Sequence, residues 1–442
     1  MEQKKQIPQV PLARFLKHSL AILNNPLPFH KDNFERLGDT FRLNISFTES
    51  VLFSRDAGLL QYVLQKNQRN YSKSNIQTED LAKYVGKGLL TAEGEHWQKQ
   101  RKLIQPAFHK KQLILLLDNI KAAITSEILK IETSVDFDVF PIMNDLAFQT
   151  VAKSLFSSAI EEDEIKKIQY ITEAAQKMLV KELRQPYLGW WFKASGKIEK
   201  HLALTREARV ILKKLISERK QSGERFDDLL DMLLDARYED GKPMEEEQLV
   251  DELLILFTAG HETTSNALTF AAQLIAKHPE VQEKIINEID AFTTQDLMQS
   301  LKESPYTQAV VEESMRLYPP AYFIDRVNIE DEYFAGMSFP KGSSLLFSIY
   351  EIHRDPTFWE DSLQFKPERF IGVPKNQYSS HYFPFGAGPR MCIGNNFAMY
   401  EMVIAIQTLV SNFKIMHKTS AIEITPLITL KPKNAILQFE ER

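Results

Sequence analysis

Phe385-Gly386-Ala387-Gly388-Pro389-Arg390-Met391-Cys392-Ile393-Gly394 holds the only cysteine of this 442-residue chain. An isolated cysteine usually packs as a small hydrophobe without chemistry. The neighbours of this one point elsewhere. Glycines on both sides make a tight loop with little bulk, so a planar group can approach the backbone. Arg390, two residues before the sulfur, brings a permanent cation with a forked set of donors. After Gly394 apolar residues recur at helical spacing: Phe397, Met399, Val403, Ile404, Ile406 and Val410. Cys392 therefore stands at a loop-to-helix junction, where free N–H groups and the positive end of the helix dipole favour a thiolate.

Such a thiolate could be a nucleophile, a redox thiol or a metal ligand. A nucleophile needs a base beside it, and spacing alone places no histidine there. A disulfide couple needs a second cysteine, which the chain lacks. A single axial thiolate on haem iron needs only one. The stretch resembles the cysteine-ligand loop of the cytochrome P-450 family, Phe-x-x-Gly-x-Arg-x-Cys-x-Gly, at every fixed position. The resemblance implies a mainly α-helical fold with small β-sheets, haem b between a long oxygen-binding helix and the cysteine loop, and Cys392 as the axial iron ligand. It extends from about Pro8 to the end of the chain, in the family's motif order, with no departure at a fixed position.

The composition agrees with a globular protein. Apolar residues make up 43% and charged residues 26%, and the net charge of −5 is spread over both signs. No basic face suggests nucleic-acid binding. No apolar run spans a bilayer, and the start Met1-Glu2-Gln3-Lys4-Lys5, with Pro8 and Pro11 following, lacks the features of a signal peptide. The expectation is a soluble, cytoplasmic protein of bacterial type and a monomer. Tyr187-Leu188-Gly189-Trp190-Trp191-Phe192 is the most apolar short loop. It reads first as a buried crossing between two helices, and second as a substrate-entry lip that touches a membrane surface.

No repeat or low-complexity tract interrupts the chain. Strands are expected over 40–45 and 51–54, and helical periodicity holds from Asp56 to about Lys302. Polar breaks at 221–224 and 239–243 separate helices. The longest runs from about Glu245 to Lys277, where His278-Pro279 ends it, and at 1.5 Å per residue it would be roughly 48 Å long. Short strands follow near 321–327, 344–347 and 422–439. No Pro/Gly/Ser linker divides the chain, so residues 1–442 read as one haem domain without a fused reductase.

The long helix carries Ala259-Gly260-His261-Glu262-Thr263-Thr264. Small residues at 259 and 260 leave room for a ligand, and a threonine hydroxyl can bond back to the carbonyl four residues earlier. Alone this is an ordinary helical stretch. Beside the Cys392 loop it resembles the family's acid–alcohol pair, which implies that Glu262 and Thr263 relay protons to dioxygen. Glu313-Ser314-Met315-Arg316 puts opposite charges three apart on one helix face, and Pro367-Glu368-Arg369-Phe370 lies downstream. The resemblance makes Glu313, Arg316 and Arg369 a buried triad behind the cysteine loop. It gives Trp97, Arg101, Arg326 and Arg390 to the haem propionates, with Phe385 and Gly394 as further haem contacts. His353 is assigned no chemistry, and His261 reads as a wall or proton-path neighbour of Glu262 and not as an iron ligand.

The implied activity is a haem-thiolate monooxygenase that inserts one atom of O2 into a small hydrophobic substrate. Pocket walls map to Ala259, Gly260, Tyr322, Phe323 and Ile428, which are apolar apart from one phenol. Similarity to soluble bacterial members leans toward fatty-acid or carotenoid and terpenoid hydroxylation. The sequence holds no flavin or nicotinamide domain and no cysteines for an iron–sulfur cluster, so electrons are expected from a separate ferredoxin or flavodoxin and its reductase. Lys99, Lys102, Lys110 and Lys111 could attract such an acidic partner. Two other readings stand beside this one. A haem-thiolate peroxygenase or isomerase of oxygenated lipids would work without a reductase. A non-enzymatic haem sensor would need a signalling domain, which the sequence does not contain.

Overall fold

Alternating side chains place Phe41 and Leu43 on the buried face of β2 (Thr40–Asn44), and Leu52 lies buried on β3 (Ser50–Ser54). The two strands pair antiparallel, Phe41 opposite Phe53, after the parallel strand β1 (Gln9–Val10). A computed structural model describes residues 5–294, 296–374, 376–418 and 421–442. The charged start Met1–Lys4 lies outside the described residues.

The chain divides into two compact units. The first comprises residues 1–74, 312–392 and 423–433. Its sheet adds β4 (Tyr71–Ser72), β5 (Phe323–Asn328) and β6 (Ser344–Ser348), in the order β1-β2-β3-β6-β5-β4. One core, built on Phe29, Phe34, Phe41 and Phe53, lies against the β1–β3 end. A second gathers Leu59, Leu60, Val63, Leu64, Phe347, Phe383 and Ala387. It thereby anchors the chain just before the cysteine loop. The strand region expected over 422–439 resolves into three strands. Glu423–Pro426 and Leu430–Lys433 form a hairpin in this unit, and Ile436–Glu441 pairs in another sheet.

The second unit, residues 75–311, 393–422 and 434–442, is helical. Its main members are α1 (Gly94–Ile104), α2 (Leu117–Ile128), α3 (Phe140–Phe156), α4 (Glu162–Arg184), α5 (Lys197–Ser222), α6 (Glu246–Lys277) and α7 (Asn395–Asn412). Helix α6 opens with Glu246 and Glu247 at its positive end and closes with Lys277 at its negative end. It is buried almost throughout from Leu249 to Ala276, because α3 packs along one side and α7 along another. A Cβ on Gly260 would lie 3.0 Å from Val151 Cγ2, so glycine permits the close approach of α6 to α3. Helical periodicity over 56–302 is broken by β4, by the strand Asp136–Asp138 and by two wide turns, Tyr62–Lys66 and Ile76–Leu81, with i→i+5 bonding.

The aromatic segment 187–192 is not a buried crossing. It enters the short helix Gly189–Ala194, which buries Phe192 alone and leaves Tyr187, Trp190 and Trp191 exposed. A six-residue helix turns only one such position inward. No described helix is long and apolar enough to cross a membrane.

Candidate active site

The cysteine loop is closed by its own backbone. Gly386 and Gly388 take positive φ, +72° and +70°, which L side chains rarely adopt. The turn lets Gly386 N–H reach Phe383 O at 3.1 Å and Cys392 N–H reach Phe385 O at 2.9 Å. Cys392 is left exposed and Arg390 half-buried. Gly388 has a second reason to be glycine, since a Cβ there would lie 2.0 Å from Leu64 O.

Behind the loop sits a buried ionic network. Arg316 donates to Glu313 Oε2 at 2.7 Å and Oε1 at 2.8 Å, and also to the carbonyls of His353, Ser362 and Gln364 at 2.8, 2.7 and 3.1 Å. Glu313 Oε1 accepts further bonds from Lys366 N–H at 2.9 Å and Arg369 Nε at 3.2 Å. Glu313 and Arg316 are wholly buried and Arg369 nearly so. The Arg316 guanidinium also lies 5.2 Å from the Trp359 ring centroid.

His353 links this network to the loop. Its Nε2 accepts from Phe383 N–H at 2.8 Å, so that nitrogen carries no proton. Burial, with the charges of Arg316 and Arg354 adding to it, lowers its pKa to about 3. The acceptor role of His353 was not legible from the residues. Its position in Ile352-His353-Arg354-Asp355-Pro356 carries no signal for a backbone donor 30 residues away.

Arg326 lies on β5, almost buried, and donates to Asp325 O at 2.6 Å. On the same strand the Ile324 side chain lies beside Gly386, 3.8 Å from where a Cβ would stand. Tyr322 is buried and its hydroxyl donates to Leu427 O at 2.7 Å, pinning the C-terminal hairpin whose tip exposes Ile428. Phe323 is half-buried beside His30 and Phe53.

In the helical unit, Thr263 Oγ1 donates to Ala259 O at 2.8 Å. Glu262 is buried on the same turn. His261 Nε2 lies 2.7 Å from Asn144 Oδ1, an acceptor, so Nε2 carries a proton. Asn144 Nδ2 in turn donates to Glu173 Oε1 at 2.9 Å. Burial raises the Glu173 pKa, but the Asn144 bond and the fields of His261 and Lys177 outweigh it and hold the carboxyl below its ordinary value. Asn144 and Glu173 were missed because they lie on α3 and α4, more than 80 residues before the motif.

Trp97 is buried on α1 and Arg101 half-buried one turn later, where its Nε reaches Gln105 Oε1 at 3.4 Å. Lys102 pairs with Glu239, while Lys99 lines an open groove of about 1260 Å³ along α1. Gly394 precedes α7 beside Phe108.

The sequence pattern of the family Cytochrome P450 matches residues 8–439. The chain belongs to the cytochrome P450 family. It is 30% identical over 410 residues to the cyclooctat-9-en-7-ol 5-monooxygenase of Streptomyces melanosporofaciens, covering 90% of this chain and 87% of that one. It is 26% identical to the pentalenene oxygenase of Streptomyces avermitilis, covering 90% and 88%. Among solved structures, the retinoic-acid-bound cyanobacterial CYP120A1 superposes with a TM-score of 0.82 at 26% identity, covering 96% of each chain. The cytochrome P450DA haem domain reaches 0.85 at 21% identity, covering 100% and 98%. The mainly helical fold with small sheets is thus the cytochrome P450 fold. This cytochrome P450 is a monooxygenase, an oxidoreductase that incorporates oxygen with a haem-thiolate cofactor, O2, a hydrophobic substrate and a redox partner. The residues present fit that cofactor: the one thiol of the chain is exposed on a rigid loop, with guanidiniums at 326 and 390 in the same unit.

Proposed function

We propose that this cytochrome P450 hydroxylates an apolar substrate of the terpenoid class, with haem b held through the Cys392 thiolate. The observation that carries the reading is Cys392 itself: a single exposed thiol, on a loop fixed by two positive-φ glycines, in a chain matched over residues 8–439. Terpenoids are favoured over fatty acids by the names of the two Streptomyces relatives, although both classes suit apolar walls. We take residues 1–442 as one haem domain.

Bound there, the haem supplies the activation of dioxygen. The chain supplies the rest. Arg326 and Arg390, with Trp97 and Arg101, offer cations and an indole N–H to the propionates. Phe385 and Gly394 leave room for the ring, while Glu313, Arg316 and Arg369 hold the loop's support. Glu262 and Thr263 relay the proton to be delivered. Since the Thr263 proton is engaged by Ala259 O, donation toward a ligand requires χ1 rotation and breaks that bond. By the family's pattern, Ala259, Gly260, Tyr322, Phe323 and Ile428 are assigned to substrate contact. Electrons come from a separate ferredoxin or flavodoxin and its reductase, drawn by Lys99, Lys110 and Lys111. Lys102 is a weaker attractor, because Glu239 neutralises it.

The test is the carbon monoxide difference spectrum of the dithionite-reduced protein, with Cys392→Ser as control. A red-shifted Soret band in the wild type that is absent from the variant supports the assignment. A band typical of histidine ligation in both proteins sinks it. Spin-state titration with terpenoids and fatty acids then separates the substrate classes.

A further inference from the structure

Two histidines on helices of this chain satisfy Nδ1 locally. The Nδ1 atoms of His18 and His201 lie 2.9 Å from Arg14 O and 2.7 Å from Lys197 O, each the carbonyl four residues earlier. His30, on the helix Leu27–Leu37, makes no such bond. Its Nδ1 is buried without a hydrogen-bond partner among the described residues, and the whole residue keeps only 5% of its surface. The ring is turned into the aromatic core of the first unit, with the Phe53 and Phe323 centroids 4.6 and 5.3 Å away. A buried nitrogen with no partner is costly. A phenylalanine would fill the same surroundings without that cost. Phe323 stands nearly perpendicular to the histidine, at 79°, and is itself only half-buried. Part of its ring is thus covered by His30 and Phe53, and part stays accessible.

We propose that His30 is a substrate-recognition residue, whose Nδ1 takes the hydroxyl of a largely apolar substrate seated on Phe323. The proposal deepens the reading above and rests on it for Phe323 as a substrate contact. The hydroxyl follows from the chemistry of the ring. Burial lowers the His30 pKa to about 3, so the imidazole is neutral and carries N–H on one nitrogen only. A hydroxyl can donate to a bare Nδ1 or accept from Nδ1–H, so it suits either tautomer. A carbonyl suits only the second, and a hydrocarbon neither. A carboxylate would need a cation, which a neutral ring among phenylalanines does not offer. An apolar alcohol is therefore the ligand that this nitrogen selects.

The experiment is a spin-state titration of the holoenzyme with matched pairs: a terpenoid alcohol with its parent hydrocarbon, and a fatty alcohol with its alkane. The wild type should bind an alcohol about five- to tenfold more tightly than its hydrocarbon, the net contribution of one hydrogen bond. His30→Phe should bring that ratio to one or below, with hydrocarbon affinity and the carbon monoxide spectrum unchanged. His30→Asn, whose amide can stand where Nδ1 stood, should keep the preference. A wild type that favours no alcohol overturns the proposal, as does a His30→Phe ratio equal to the wild-type one. An equal loss for alcohol and hydrocarbon marks a packing role alone and overturns it too. Should His30→Phe fail to load haem, nitrogen-15 spectra of histidine-labelled wild type decide. The His30 ring signal should shift with the alcohol and not with the hydrocarbon, and an unmoved signal refutes the contact. A preference seen with the fatty pair alone removes the terpenoid class and still supports His30. If Phe323→Ala leaves all affinities unchanged, the assignment of Phe323 has failed, while the His30→Phe ratio still judges the histidine.

Discussion

Glu313→Ala removes the acceptor for four hydrogen bonds, two from Arg316, one from Arg369 and one from Lys366 N–H. It leaves the Arg316 guanidinium buried with no carboxylate partner, because its remaining bonds all go to backbone carbonyls. Breaking a buried pair from one side typically costs about 3–5 kcal/mol. That is a large part of a domain's total stability of about 5–15 kcal/mol. Being dry, the network should lose little strength in high salt, unlike a surface pair. Trp359, whose ring lies beside Arg316, gives a local reporter. Urea unfolding followed by tryptophan fluorescence should show the midpoint drop with an unchanged slope, together with a lower haem-to-protein ratio. Arg316→Lys should fall between, since an ammonium has three donors for the five bonds that Arg316 makes. A Glu313→Ala protein within about 1 kcal/mol of wild type, where surface pairs lie, would refute this account of the loop's support.

His353 and His30 are both buried with pKa values lowered to about 3 from 6.5, so the unfolded chain takes up two more protons than the fold as pH drops between those values. The stability they contribute is whole above pH 6.5 and is lost on acidification, about a hundredfold in the folding constant per pH unit. His353→Gln, which keeps an acceptor for Phe383 N–H, should cut that slope by one proton in denaturant titrations, and an unaltered slope would count against the assignment. Gly388→Ala drives a Cβ into Leu64 O at a positive φ, so expressed protein should retain well under half of the wild-type haem, read from the Soret-to-protein absorbance ratio. Thr263→Ala should leave the carbon monoxide spectrum intact while diverting reducing equivalents to peroxide, measured as product formed per NAD(P)H consumed. Coupling equal to wild type would remove Thr263 from the proton path.

The cysteine loop, the long helix and the Glu-x-x-Arg pair were legible because each is written in contiguous residues. Helix α6 begins within one residue of its expected start and ends at Lys277, where the His278-Pro279 signal places it. What stayed hidden is what the chain builds from distant parts. Nothing around His353 announces that it holds Phe383, and nothing around Asn144 announces His261. Glu401 reads as one more polar position on a mostly apolar helix, and only the packing of α7 against α2 and α6 makes it dry. The exposed Trp190 and Trp191 were misjudged for a related reason. Hydrophobicity alone does not say which side of a short helix meets the core.

Arg316 also has a consequence for the order of folding. Its guanidinium gathers carbonyls 37, 46 and 48 residues further along the chain, and its partner Glu313 waits for Arg369, 56 residues on. Each closure costs loop entropy before any bond repays it. The helix can form early, yet its two charges stay in water until that whole span has been synthesised and has folded back. In refolding, the Trp359 signal should therefore lag behind the far-ultraviolet helix signal. The cysteine loop becomes rigid only in that last phase, so the rate at which the nascent chain captures its cofactor is set by tens of residues that never touch it.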